Sequence, residues 1–210
     1  CNFRSMHYFS ENGTDFTCGL IPGAKWMGGG DTLLDGTFYN PNMPTEEIFT
    51  SPMKGEAEGT VVATMPLSYQ GNLIENFSIT FKNGRAVSCR AEKGQALLEQ
   101  MLAMDEGAAQ LGELALIPHD SPISNLGILF YNTLFDENAA CHIALGAGFP
   151  NTVDGYENMT LEQVHEKGIN DSVIHVDFMI GDGMLNIDGI TADGRVVPVF
   201  RNGSWTEQFR

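Results

Sequence analysis

The 210-residue chain carries 11 basic and 27 acidic side chains, a formal net charge of −16, with 42% hydrophobic and 18% charged residues. That is the composition of a folded globular chain; its acidity argues against nucleic acid and favours a metal ion or another cation as ligand. No uninterrupted apolar run reaches the ~18 residues of a spanning helix, so no membrane partner is expected.

Cys1, Cys18, Cys89 and Cys141 are scattered, with no C-x-x-C pair and no signal-like start before them, which implies a reducing cytoplasm. From the start at Cys1 rather than Met, an incomplete chain lacking an upstream domain is the expectation. No repeat, low-complexity tract or composition break divides the chain, so residues 1–210 are expected to form a single domain.

In chain order, residues 1–60 read as rich in strands and turns. Phe16, Cys18 and Leu20 alternate with Thr17 and Gly19, a half-buried strand that Pro22 and Gly23 end. Gly28 to Gly30 lack both the G-x-G-x-x-G pattern and a following Lys-Ser/Thr, so they are expected to be a loop. In the stretch 40–52, NPNMPTEEIFTSP, Glu46 and Glu47 precede the apolar pair Ile48 and Phe49. Thr45 can cap a short turn there, leaving one glutamate inward and one outward; the plainer alternative is two solvated glutamates.

Thr60 to Met65 and Ile74 to Phe81 read as strands, and Asn83-Gly84 suits a two-residue hairpin turn into Ala86 to Arg90. Leu97, Leu98, Met101 and Leu102 then recur at helical spacing, which predicts an amphipathic helix over 95–105. In Leu111 to Asp120 the carboxylate of Glu113 precedes an apolar run. It is costly to bury unless a cation or donor meets it, and it could equally sit exposed at a strand end. His119, before Asp120 and Ser121, suits a turn better than a metal, and Leu126 to Leu134 reads as a further apolar strand.

Leu134 to Gly146, LFDENAACHIALG, reads as a helix carrying His142, with Asp136, Glu137 and Asn138 crowding its start. Thr160 with Gln163 makes a capping box for a short helix through Lys167, with His165 on its wet side. In Val173 to Gly181, His175 and Asp177 lie two residues apart in a β-rich run and so share one strand face. Met184 to Ile190 and Arg195 to Phe200, joined by Ala192-Asp193-Gly194, form a second hairpin.

Imidazole and carboxylate groups gathered from separated elements are what a hydrolytic metal site needs. The candidates are Glu46 or Glu47, Glu113, His142, His175 and Asp177. Cys141 beside His142 makes no useful dyad by adjacency alone, and neither a G-x-S-x-G elbow nor a zincin or structural-zinc spacing occurs.

The strings NMPTEEIFTSP, IENFSITFKNGR, IPHDSPIS, YNTLFDENAACHIALG, HVDFMIG and PVFRNGSW resemble the thermophilic-aminopeptidase family of metallopeptidases (aminopeptidase T and S type). The likeness runs over essentially the whole chain and corresponds to the C-terminal, metal-bearing half of such enzymes. It implies an exopeptidase that removes N-terminal residues from peptides with two divalent ions, zinc or cobalt foremost, manganese or magnesium next. It also implies a homodimer formed through this domain.

Carried over by position, the metal ligands fall on Glu47, Glu113, His142, His175 and Asp177, with Glu46 the neighbour that an off-by-one assignment would select. Glu46, Glu47 and Glu113 are the expected catalytic carboxylates, Glu46 as the proton carrier if Glu47 is a ligand. The family places a tyrosine seven positions after the histidine at His142, where this chain has Phe149, a ring that cannot donate a hydrogen bond. Tyr131 and Tyr156 are the candidate substitutes.

The expected architecture is α+β, a mixed and mainly antiparallel sheet with packed helices, carrying ligands at strand ends and on one helix. The alternative function is a metal-binding dimerisation fragment with little or no activity alone.

Overall fold

The structure, a computed structural model, describes residues 2–40 and 46–210. Its first part runs β1 (Phe3–Phe9), β2 (Asp15–Leu20), β3 (Met27–Gly28), β4 (Asp31–Thr32), β5 (Phe38–Tyr39), β6 (Ile48–Thr50) and β7 (Pro52–Val62). There follow β8 (Leu67–Tyr69), β9 (Asn72–Lys82), β10 (Arg85–Lys93), α1 (Gln95–Leu102), β11 (Leu111–Leu116), α2 (Pro122–Asn125) and α3 (Thr133–Asp136). The chain ends with β12 (His142–Gly146), α4 (Leu161–Glu166), β13 (His175–Met179), β14 (Asn186–Thr191), β15 (Val196–Arg201) and β16 (Ser204–Trp205).

This is an α+β chain, and every strand pair among the described residues is antiparallel. A nine-stranded sheet has the order β10-β9-β7-β2-β1-β14-β15-β16, with β8 added on β9; a five-stranded sheet has the order β13-β12-β11-β6-β3. One apolar core joins the two, running from Tyr8, Phe16 and Phe81 in the large sheet to Ile143, Leu145 and Phe178 in the small one. Phe77 meets Phe178 across it with ring centroids 5.3 Å apart. Each such ring or branched aliphatic, fully buried, contributes roughly 1.5–3 kcal/mol.

The local signals act as their chemistry dictates. Asn83 and Gly84 take the positive φ values, 49° and 77°, that a two-residue hairpin turn demands between β9 and β10. The helix at 95–102 buries Leu98 and Met101. Thr160 and Gln163 form the reciprocal capping box of α4, and Gly194, at φ 82°, turns β14 into β15.

Two expectations are overturned. His142 does not lie on a helix: α3 and a following single turn end at Ala139, and His142 opens strand β12. The reason is that β12 lies between β11 and β13 with both faces covered, and a strand buried on both faces shows a continuous apolar run that carries no period. Residues 126–134 form no strand: 126–132 are irregular and Thr133 and Leu134 open α3, with Leu126, Ile128, Tyr131 and Leu134 exposed. Asp136, fully buried, shapes the irregular stretch by accepting from the N–H groups of Phe130 (2.7 Å) and Asn132 (3.0 Å). The proposed cap Thr45 lies outside the described residues.

Candidate metal centre

Strand register in the small sheet assembles the site. Glu113 on β11 faces Ala144 on β12, which faces Asp177 on β13; one row along, Phe49 on β6, Ala115, His142 and Met179 stand in line. Directly paired residues point to the same face. Ala115 and Ala144, small and central in their rows, leave space into which the longer acids and imidazoles reach. The opposite face carries Leu114, Ile143, Leu145, Val176 and Phe178 into the core.

A register shift between Leu111 and Glu113 makes this double use of β11 possible. Leu111, Leu114 and Leu116 all join the core while Glu113 turns to the site, which strict alternation would forbid. Gly112 stands at that irregularity because a Cβ there would come within 2.1 Å of the Ala147 carbonyl oxygen.

The donor atoms fall into two overlapping groups, Glu47 with Glu113 and His142, and Glu113 with His175 and Asp177, the atoms of each within 4.8 Å of one another. Glu113 belongs to both. Its Oε1 lies 3.9 Å from His142 Nε2 and its Oε2 3.1 Å from His175 Nε2. Glu47 Oε1 is 3.2 Å from His142 Nε2, and Asp177 Oδ1 is 3.4 Å from His175 Nε2. His142, Glu113, Asp177 and Glu47 are 1%, 4%, 5% and 9% exposed, whereas His175 keeps 28% of its side chain accessible.

Both imidazoles are held from behind. Nδ1–H of His142 donates to the Ala140 carbonyl oxygen (3.1 Å) and that of His175 to the Ala147 carbonyl oxygen (2.7 Å). This directs each Nε2 toward the carboxylates, the arrangement that fixes the tautomer of a metal-binding histidine. His142 Nε2 and Asp177 Oδ1 are nevertheless buried without a hydrogen-bond partner, near their neighbours in distance but not aimed at them. Buried polar atoms left so are uncommon. Ligand atoms that converge on a shared point rather than on one another fit divalent ions held by nitrogen and carboxylate oxygen.

The electrostatics agree. Burial works to lower the His142 and His175 pKa values, but the surrounding carboxylates overcome it and raise them to about 10 and about 11. Burial, reinforced by the charge of Asp177, pushes the Glu113 carboxyl up to about 7 despite His175. For Asp177 burial opposes ionisation, yet His175 holds the group below the usual carboxylate range. So much acid in so small a volume is stable only with protons or cations among it.

Of the sequence candidates, Glu47, Glu113, His142, His175 and Asp177 come together. Glu46 is exposed and does not line the cavity of about 520 Å³ that opens over the cluster. His119 is exposed at a bend, and its backbone N–H donates to the Gly203 carbonyl oxygen. Cys141 points the other way from His142, its Sγ accepting from the Ile117 N–H and donating to the Ile117 carbonyl oxygen, both at 3.3 Å.

Glu137, Tyr69 and Gly28 to Gly30 line the cavity without being singled out as site residues by the sequence. Glu137 is pushed up to about 8 by burial and by the charge of Asp177. It stood out only as one of three polar residues before an apolar run, with nothing to separate it from the structural Asp136. Tyr69, rather than Tyr131 or Tyr156, is the tyrosine on the cavity wall, and Gly28 to Gly30, expected as an ordinary loop, line its mouth. Phe149 packs on His175 with ring centroids 4.8 Å apart.

A family profile described as thermophilic metalloprotease (M29) matches residues 1–205. The chain is 50% identical over 204 residues to aminopeptidase AmpS of Bacillus subtilis (strain 168), covering 97% of this chain and 50% of that protein. It is 50% identical over 197 residues to aminopeptidase 2 of Geobacillus stearothermophilus, covering 94% and 48%. In structure it resembles wild-type AmpT from Thermus thermophilus, with TM-score 0.89 and 43% identity over 97% of this chain and 50% of that one. A 2,5-dihydroxypyridine dioxygenase from Pseudomonas putida KT2440, at TM-score 0.58 and 16% identity over 99% of this chain and 57% of that one, shares the fold alone. The chain thus spans about half the length of the curated relatives it matches.

Proposed function

The chain belongs to the thermophilic metalloprotease (M29) family, and on that premise we propose that residues 1–210 are the catalytic domain of a metal-dependent aminopeptidase with a dinuclear centre. Glu47, Glu113 and His142 would hold one divalent ion and Glu113, His175 and Asp177 the other. The observation that carries this is the division of the two Glu113 oxygens between the two histidines. Two divalent ions there supply Lewis acidity, toward water as nucleophile and toward the peptide carbonyl. Zinc and cobalt suit the donor set best, with manganese or magnesium as alternatives.

The chain's own groups do the rest. Glu137, a carboxyl able to hold a proton near neutral pH, moves one between attacking water and leaving amine, the role expected of Glu46, which stands outside the cavity. The acidic walls attract the free α-ammonium of a peptide and so orient its first bond over the cluster. With Phe149 lacking a hydroxyl, the Tyr69 O–H is the donor we assign to the developing oxyanion. A cytoplasmic homodimer is part of the same proposal, and sedimentation of the chain tests its oligomeric half.

The test is metal analysis with an assay. Two ions per chain, hydrolysis of an aminoacyl anilide, its loss with chelator and the inertness of the N-acetylated substrate are expected. Because the chain spans half of its curated relatives, a second reading is a metal-binding dimerisation domain with little catalysis of its own. Two bound ions without hydrolysis would establish that reading instead.

A further inference from the structure

The cavity has two unlike sides. One is the acidic cluster; the other is an apolar strip that begins at the cluster and runs outward to the edge of the small sheet. Phe149 packs tilted against His175, the ring planes 60° apart, and Phe49 lies 5.1 Å from Phe149 between ring centroids. Met27 stands directly opposite Phe49 in the β3–β6 register and therefore on the same face. All three line the cavity.

The strip is rigid where it meets the site. The Phe149 N–H donates to Ser51 Oγ at 2.7 Å and its carbonyl oxygen accepts from Thr152 Oγ1 at 2.7 Å, while Ser51 and Thr152 are themselves fully buried. Beyond it Gly28 to Gly30 line the mouth, and the space beside Gly29 is open, a Cβ there meeting no atom within 4 Å. A cavity of about 520 Å³ falls in the range that encloses a whole small molecule, so a large side chain has room.

We propose that Met27, Phe49 and Phe149 form the wall against which the first side chain of the substrate lies, so that the enzyme selects peptides beginning with a large apolar or aromatic residue. This rests on the aminopeptidase reading. An α-ammonium drawn to the carboxylates and a first peptide bond held at the cluster leave the adjoining side chain next to Phe149. There it covers apolar surface that water otherwise wets. An acidic side chain in the same place faces Glu47, Glu113 and Asp177 and is repelled.

The test compares kcat/KM of the metal-loaded chain for phenylalanyl, leucyl, alanyl and aspartyl 4-nitroanilides. A phenylalanyl to alanyl ratio well above ten is expected, since apolar contacts of this size discriminate by roughly 10- to 200-fold, with the aspartyl substrate poorest. Phe49→Ala should bring that ratio toward one. Met27→Glu, at a half-buried position where folding is less at risk, should lower it and raise turnover of lysyl anilide. A ratio near one in the unaltered chain, or one unmoved by either substitution, overturns the proposal. If no anilide is cleaved, the aminopeptidase reading fails by itself, and calorimetric binding of phenylalaninamide against glycinamide takes over. Tighter binding of phenylalaninamide, lost in Met27→Glu, supports the wall; equal binding overturns it.

Discussion

Loading the centre with metal should expel protons, and their number follows from the geometry. In the metal-free cluster His142 and His175, raised to about 10 and about 11, are both imidazolium at pH 7.5. Burial disfavours that charge, but the carboxylates of Glu47, Glu113 and Asp177 around the two rings outweigh it. A ligating nitrogen must be unprotonated, so each ring gives up its Nε2 proton. Glu113 and Glu137, at about 7 and about 8, are partly protonated at this pH and add a fraction. Between two and three protons per chain are therefore expected, roughly two from the histidines alone.

Calorimetric titration with zinc or cobalt in buffers of low and high ionisation enthalpy measures that number as the slope of observed heat against buffer heat. Apparent affinity should fall by about 100-fold per pH unit on acidification, tenfold for each proton displaced. A slope near zero at pH 7.5 would show that the imidazoles are neutral before metal arrives and would refute the charge balance argued for this cluster. The same groups govern stability. His142 and His175 are raised from 6.5, so their contribution is complete below pH 6.5 and is lost as pH rises through 10 to 11. The raised carboxyls of Glu113 and Glu137 act in the same direction, between about 4.5 and 8. The metal-free chain should then melt at lower temperature at pH 9 than at pH 6, with metal restoring it at the higher pH.

Gly112→Ala drives a Cβ against the Ala147 carbonyl that holds His175 and shifts the neighbouring Glu113; a loss of about 1–3 kcal/mol and a 10- to 100-fold weaker metal affinity are expected. Gly29→Ala, in open space, is the control and should stay within about 0.5 kcal/mol in denaturant melts. Tyr8→Phe removes a fully buried hydroxyl that has no partner and should be neutral or stabilising by up to about 1 kcal/mol; destabilisation by more than that would reveal a partner for it. Glu137→Gln should lower kcat by about 100-fold while two ions remain bound; ion loss measured by elemental analysis would make Glu137 a ligand rather than a proton carrier.

The amino-acid order alone determined the parts whose signals are local: the Asn83-Gly84 hairpin, the α1 periodicity, the Thr160/Gln163 capping box and the shared face of His175 and Asp177. Those depend on residues within a few positions of one another, and near neighbours constrain backbone shape directly. Through the resemblance it also marked the five donors that the structure gathers. It could not settle His142 on a strand, because a stretch covered on both faces shows no period. The spacing of the residues by itself left Glu46 and Glu47 open; the fold leaves Glu46 exposed and sets Glu47 against His142. The burial of Glu113, the arrival of Glu137 and Tyr69 on the cavity wall and the contact of Phe149 with His175 were likewise decided by tertiary structure. Each depends on register between strands far apart in the chain, and one residue of slip would turn these side chains to the other face.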